Sequence, residues 1–317
     1  MANMIDIEDF ITTLFVLVDD FCQEDPPPPK PGPDCKFTES EAITLLIFSQ
    51  WSRFSSERDF YRFAYKELRD AFPDLPSRPQ LNPRVRGDQW RSLHDKVCTF
   101  FSYLADALDA PEALYEALDA GPVVTRNAKR RGGGWLVGEA DIGYSNRLGW
   151  FEGFKLLLAT TPQGVITGFG LCPASAKDQP MAETFFYLRA NPDPRVASIG
   201  KTGCGQYYPV DKGFEGYQNH KGWQEAYGAY VICPPKSNSR HPWPKELRRW
   251  AASIRQMVET IFDKLLYTFR LDRERPHLLQ GVRTRLAAKV ALHNFCIWLN
   301  RQLGRPNLAF ADLLGWS

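Results

Sequence analysis

At Pro111 the spacing of apolar residues changes, and that change constrains the fold more than any other feature of the chain. Before it, apolar positions recur at helical intervals, so residues 5–21, 42–51, 54–72 and 90–108 each read as a helix. Thr38, with Glu41 three residues on, gives the second of these a capping-box start. The run from Pro26 to Pro33 forces an extended linker between the first two helices. Pro73, Pro76, Pro79 and Pro83 close the third. After Pro111 the apolar runs are short. Residues 113–119 read as a strand ending in the carboxylate of Asp119, and residues 153–160 and 165–171 as two strands joined by the turn Thr161-Pro162-Gln163-Gly164. Lys177-Asp178-Gln179-Pro180 opens a helix, with Asp178 as N-cap and Pro180 in the first turn. Residues 207–210 and 229–233 read as further strands, the former ending at Asp211, and residues 246–266 and 283–303 as long helices. This order implies a mixed α/β fold with one central sheet, preceded by an all-helical region. The expected boundaries are 1–110 for the helical region and 111–317 for the α/β domain.

With 317 residues, 44% of them hydrophobic and 24% charged, the chain has the composition of a globular protein with a sizeable core. Its seven cysteines are odd in number, lack CxxC spacing and include residues within apolar runs, such as Cys172. They read as reduced thiols, not as a disulfide frame or a zinc site. The apolar stretch at 11–18 is short and flanked by Asp6, Glu8, Asp9, Asp19 and Asp20, unlike a signal peptide or membrane span. A cytoplasmic protein with no membrane partner is expected.

The net charge of +2 is mild, but it is unevenly spread. From Lys236 to Arg305 there are 15 Lys/Arg against five Asp/Glu, an asymmetry that suits a polyanionic partner. A solvated helical surface is the alternative. The first 110 residues offer either helix-turn-helix DNA binding or a helical scaffold, and no motif chooses between them.

Three acids stand at telling places: Asp119 and Asp211 at strand ends and Glu259 on the long helix. Breaking a phosphodiester by in-line displacement uses two hard cations about 3.5–4 Å apart. Carboxylate oxygens suit Mg²⁺, which keeps water positions free for substrate phosphates. A lone acid at a strand end otherwise caps a helix or faces solvent. The five histidines show no HExxH or similar spacing, and Gly203-Cys204-Gly205 lacks a phosphate-loop context.

The words around these acids are more specific. Asp211-Lys212-Gly213-Phe214 resembles the D-K-G-[YF] block of bacterial insertion-sequence DDE transposases, and Arg255-Gln256-Met257-Val258-Glu259-Thr260-Ile261-Phe262 their R-x-x-[IV]-E-x-x-F block. Leu118-Asp119-Ala120-Gly121-Pro122-Val123 is similar to the block at their first aspartate. Gly153-Phe154-Lys155-Leu156 and Pro173-Ala174-Ser175-Ala176-Lys177-Asp178 resemble their GFK-L and P-A-S-x-x-D words. The five follow the family's order, and the resemblance runs from about residue 75 to 300, beginning with the stretch from Pro76 to Arg86.

The resemblance implies a ribonuclease-H-like sheet flanked by helices and a metal site made by Asp119, Asp211 and Glu259. Two Mg²⁺ ions, with Mn²⁺ as the alternative, would serve cleavage of double-stranded DNA at the element's terminal inverted repeats and strand transfer into target DNA. It further implies a homodimer on DNA. A nuclease on the same fold and a transposase-derived DNA-binding protein without catalysis are the alternatives.

Arg255 lies one turn before Glu259, so it reads either as a phosphate contact beside the metal site or as an ordinary ion pair with Glu259. Lys264 is expected near the same face, Arg248 further along it, and Lys212 beside Asp211. Arg126, Lys129, Arg130 and Arg131, followed by three glycines and Trp135, form either a positive loop that grips a DNA backbone or a solvated loop. Some relatives have a tyrosine where this chain has Ala252, and Ala120-Gly121 replaces the family's usual hydroxyl residue after the first aspartate. Asp141 is therefore a rival for the first ligand.

Overall fold

The computed structural model describes residues 4–24, 26, 36–81, 93–127, 136, 138–145, 147–199, 207–235, 239, 242–274 and 278–316. The proline run from Pro27, the stretch from Asn82 to Arg86, Lys129 to Trp135 and Gly203-Cys204-Gly205 lie outside these residues.

The first part of the chain includes the helices α1 (Ile7–Glu24), α2 (Glu39–Phe48), α3 (Glu57–Glu67) and α4 (Leu93–Ala107). The capping box at α2 forms as expected. Glu41 N donates to Thr38 Oγ1 at 3.1 Å, and Thr38 N donates to Glu41 Oε2 at 2.6 Å. Helix α3 starts later than its aromatic spacing suggests, because Ser56 caps it by accepting from Asp59 N at 3.1 Å. Serine at that position supplies the oxygen that the first turn needs, so the helix starts after it.

The α/β part contains β1 (Ala117–Asn127), β2 (Asp141–Ser145), β3 (Gly149–Thr160), β4 (Ile166–Pro173), α5 (Asp178–Ala190), β5 (Tyr207–Pro209), α6 (Tyr217–Tyr227), β6 (Tyr230–Ile232), α7 (Lys245–Asp263) and α8 (Leu279–Gln302). Strand β3 pairs antiparallel with β1 on one side, and on the other with β4 and then β2 along the same edge. Strands β5 and β6 are parallel, and β5 joins β1 through the parallel bridge Leu118–Val210 and the bond from Glu116 N to Tyr207 O at 3.0 Å. The order β4-β3-β1-β5-β6, with three antiparallel strands and two parallel additions, is that of a ribonuclease-H-like sheet.

Strand β1 departs from the sequence reading. It begins at Ala117 and runs to Asn127, so Asp119 is its third residue and not its end. Gly121-Pro122 lies inside the strand: among the described residues β1 past Leu118 pairs with β3 alone, and an edge position tolerates the missing N–H of proline. The turn from Thr161 to Gly164 forms as expected, closed by Val165 O accepting from Thr161 N at 2.9 Å.

Helix α8 is buried on nearly all its faces and ties the parts together. Its Asn294 accepts from Ile166 N at 3.0 Å and donates to Ile166 O at 2.8 Å, pinning the start of β4. Its Lys289, fully buried, donates to Gln50 Oε1 at 2.7 Å and pairs with Glu274 at 3.0 Å, while Arg285 pairs with Glu274 at 2.6 Å. One continuous cluster of buried apolar residues runs from Phe10 and Phe48 through Phe101 and Phe295 to Leu156 and Val123. A second, including Leu118, Leu157, Phe185 and Trp223, fills the other face of the sheet beneath α5 and α6. No disulfide joins the described cysteines at 22, 98, 172, 233 and 296. No described helix is long and apolar enough to cross a membrane.

Candidate active site

Side-chain alternation along β1 turns Ala117, Asp119 and Gly121 to one face, and α7 lies across it. Ala117 packs with Ile254 and Val258, and a Cβ on Gly121 would come within 2.6 Å of the Phe262 ring. The glycine is thus set by how closely α7 approaches. The parallel bridge from Leu118 to Val210 brings the next residues, Asp119 on β1 and Asp211 in the turn after β5, to neighbouring positions. Asp119 accepts from Ala120 N at 2.7 Å. From α7, Arg255 Nε donates to Glu259 Oε1 at 2.8 Å, and its Nη1 stands 3.9 Å from Asp211 Oδ1. One guanidinium therefore links acids from two different elements.

Burial pushes the Asp119 carboxyl up to about 7, and the charges of Asp211 and Asp178 add to the rise, while the Ala120 N–H and Arg255 oppose it. The same ion pairs, with Glu259 foremost, raise the pKa of Arg255. A carboxyl lifted in this way, beside a second carboxylate, lacks positive charge. The donors are hard oxygens, which suit a divalent cation, and the Arg255 guanidinium supplies part of that charge. Among the described residues no three His, Cys, Asp or Glu side chains are grouped as one ion's ligands, and Glu259 is turned to Arg255.

Asp178 is the first residue of α5, with Lys177 in the capping position, so it does not cap the helix as its place before Pro180 suggests. Its carboxylate pairs instead with Lys155 on β3, whose Nζ donates to Asp178 Oδ1 at 2.9 Å and to Ala176 O at 2.7 Å. A Cβ on Gly213 would lie 2.5 Å from Asp178 Oδ2, so the turn after Asp211 rests directly on this carboxylate. Sequence reasoning gave Lys155 no role. Its signal was the GFK word, since a lysine within an otherwise apolar strand needs a partner.

Asp141 begins β2, exposed, its carboxylate accepting from Ile142 N at 2.7 Å and bonded to Ser175. Lys212 is exposed in the short 3-10 turn Lys212–Phe214. Lys264 opens a π-helical turn, and its ammonium lies 5.7 Å over the Phe310 ring, which places it with the C-terminal core instead of beside Arg255. Arg126 falls within β1, and its side chain lies outside the described residues, as do Lys129, Arg130 and Arg131. A cleft of about 460 Å³ opens beside the acids, lined by Asp119, Asp211, Lys212, Arg248, Trp250 and Arg255 among others. Prolines 234, 235 and 242 and Trp243 complete its wall. Arg248, two turns from Arg255, thus reaches the same opening.

The family described as Transposase DDE domain matches residues 117–295, more than half of the chain. A chain of the crystal structure of a pre-cleavage Mos1 transpososome is 13% identical, with 89% of this chain and 97% of that chain covered, at a TM-score of 0.22. A likeness that weak adds nothing to the fold read from the strands. No curated protein matches.

Proposed function

The chain belongs to the transposase DDE domain family, and from that premise we propose that it cleaves double-stranded DNA at the terminal inverted repeats of a bacterial insertion sequence and joins the freed 3′ end to target DNA. In this reading Asp119, Asp211 and Glu259 are the catalytic acids and supply carboxylate oxygens to two divalent ions, Mg²⁺ or alternatively Mn²⁺. Such ions, when bound, lower the pKa of an attacking water and stabilise the departing oxygen. The protein's part is to hold these carboxylates on a rigid strand pair and helix, and to offer cations to the DNA backbone. Lys212, Arg248 and Arg255 border the acids, and Arg126, Lys129, Arg130, Arg131 and Lys264 are assigned to DNA more loosely. Residues 111–317 form the proposed catalytic domain. Residues 1–110 are the proposed DNA-end region, and α1, with Glu8, Asp9, Asp19, Asp20 and Glu24 and no Lys or Arg, is the part least suited to touch DNA. A homodimer on DNA completes the proposal.

The observation that supports this most is the pairing of Asp119 with Asp211 across the Leu118–Val210 bridge, beneath the helix that carries Glu259. The test is strand transfer with labelled duplexes bearing the inverted repeats that flank the gene. Joined products are expected. Cleavage without joining would assign a nuclease, and binding without cleavage a catalytically silent DNA-binding protein.

A further inference from the structure

We propose that Arg255 is a displaceable counter-cation: its guanidinium holds Asp211 and Glu259 in the metal-free protein and must leave both before divalent ions bind, moving to a DNA phosphate when it does so. The inference rests on the reading of these acids as metal ligands. Within one helix, Arg255 and Glu259 make an i,i+4 pair at 2.8 Å, which by itself is ordinary. The second contact is not. Nη1 also reaches across to Asp211 at 3.9 Å, on the turn after β5. A dication approaching those carboxylates meets a fixed positive charge only a few ångströms away, so the two cations compete for the same oxygens.

The arm is free to leave. The side chains of Arg255, Glu259 and Asp211 are 61%, 58% and 40% exposed, and ion pairs so open to solvent are weak and screened. The fourth acid of the cluster, Asp178, does not depend on Arg255, because Lys155 holds it at 2.9 Å. Release of Arg255 therefore leaves Asp211 and Glu259 to the metals without freeing Asp178. Because guanidinium matches phosphate by paired N–H donors, DNA in the cleft offers the displaced arm a better partner. Reciprocity then makes DNA and metal each tighten the other's binding.

The test is Mn²⁺ binding to the full chain without DNA, by calorimetric titration, for the wild type, Arg255→Met and Arg248→Met. Arg248 lines the same cleft, so its replacement controls for general loss of positive charge. Arg255→Met is expected to bind Mn²⁺ about tenfold more tightly than the wild type, and Arg248→Met within about twofold of it. A short duplex oligonucleotide should tighten Mn²⁺ binding in the wild type more than in Arg255→Met. Mn²⁺ binding that is lost in Asp211→Asn, yet no tighter in Arg255→Met than in Arg248→Met, overturns the proposal alone. Absence of Mn²⁺ binding, or binding indifferent to Asp211→Asn, overturns the metal reading and the proposal with it.

Discussion

Replacing Asp119 with Asn should stabilise the metal-free protein, and the gain should depend on pH in a way fixed by the site. The folded chain holds the Asp119 proton up to about pH 7, while the unfolded chain releases it near the ordinary 3.8. Between these values the folded state binds more protons, so the stability contributed by this group falls as pH rises from about 4 to about 7 and is level above. Each unit of pKa displacement corresponds to about 1.4 kcal/mol, which sets an upper bound of about 4 kcal/mol for the full cost of the charge. The cleft admits water to the carboxylate, and Arg255 can adjust, so about 1–2 kcal/mol is the expected size. Asparagine keeps the shape and removes the titration. In chelator, the stability difference between Asn and Asp should be small near pH 4, grow to about 1–2 kcal/mol by pH 7 and stay level at pH 8. Urea denaturation at pH 5 and pH 8 measures it, with midpoints converted by a common slope. An equal gain at both values, or an Asn variant less stable than the wild type at pH 8, would show that Asp119 is not an unneutralised buried charge.

Asp211→Asn should abolish cleavage while DNA affinity in a gel-shift assay stays within about threefold, since a carboxylate adds no attraction for phosphate. Gly121→Val should destabilise the fold by about 1–3 kcal/mol in urea, because the added methyls meet Phe262 and lift α7 from β1; an unchanged midpoint would refute that packing. Glu274→Gln should cost about 3–5 kcal/mol, since it leaves the buried Lys289 and Arg285 without their shared anion. Arg248→Ala should lower the slope of log affinity against log salt by about 0.9 if Arg248 meets one DNA phosphate; an unchanged slope removes it from the interface.

The elements built on strong local signals were legible in the sequence. The α2 capping box, the β3–β4 turn and the long spans of α7 and α8 all follow from side-chain chemistry within a few residues of each boundary. Helix α6 was not read. Its sequence is mostly polar, and only Trp223 is buried, so no periodic apolar stripe marks it. The extent of β1 depended on which neighbours it would have, a long-range matter that the local sequence does not report. At the site, the words around the acids singled out Asp119, Asp211, Arg255 and Glu259. Their linkage through one guanidinium was hidden, because it depends on α7 lying over β1. The expected cap at Asp178 failed for a similar reason: Lys155 is distant in sequence but adjacent across the sheet.

The segment at Ile5 is clasped to the segment 313–316. Ile5 N donates to Leu313 O at 3.0 Å and Gly315 N to Ile5 O at 3.0 Å, while Trp316 packs against Phe48, Trp51 and Phe54. Phe48, Trp51 and Phe54 are synthesised more than 250 residues before the Trp316 that covers them. A nascent chain must therefore carry those rings uncovered until synthesis has passed Trp316. Messages cut short even a few codons before Leu313 should yield chains that proteases clear quickly, although Asp119, Asp211 and Glu259, the proposed catalytic acids, have already been translated.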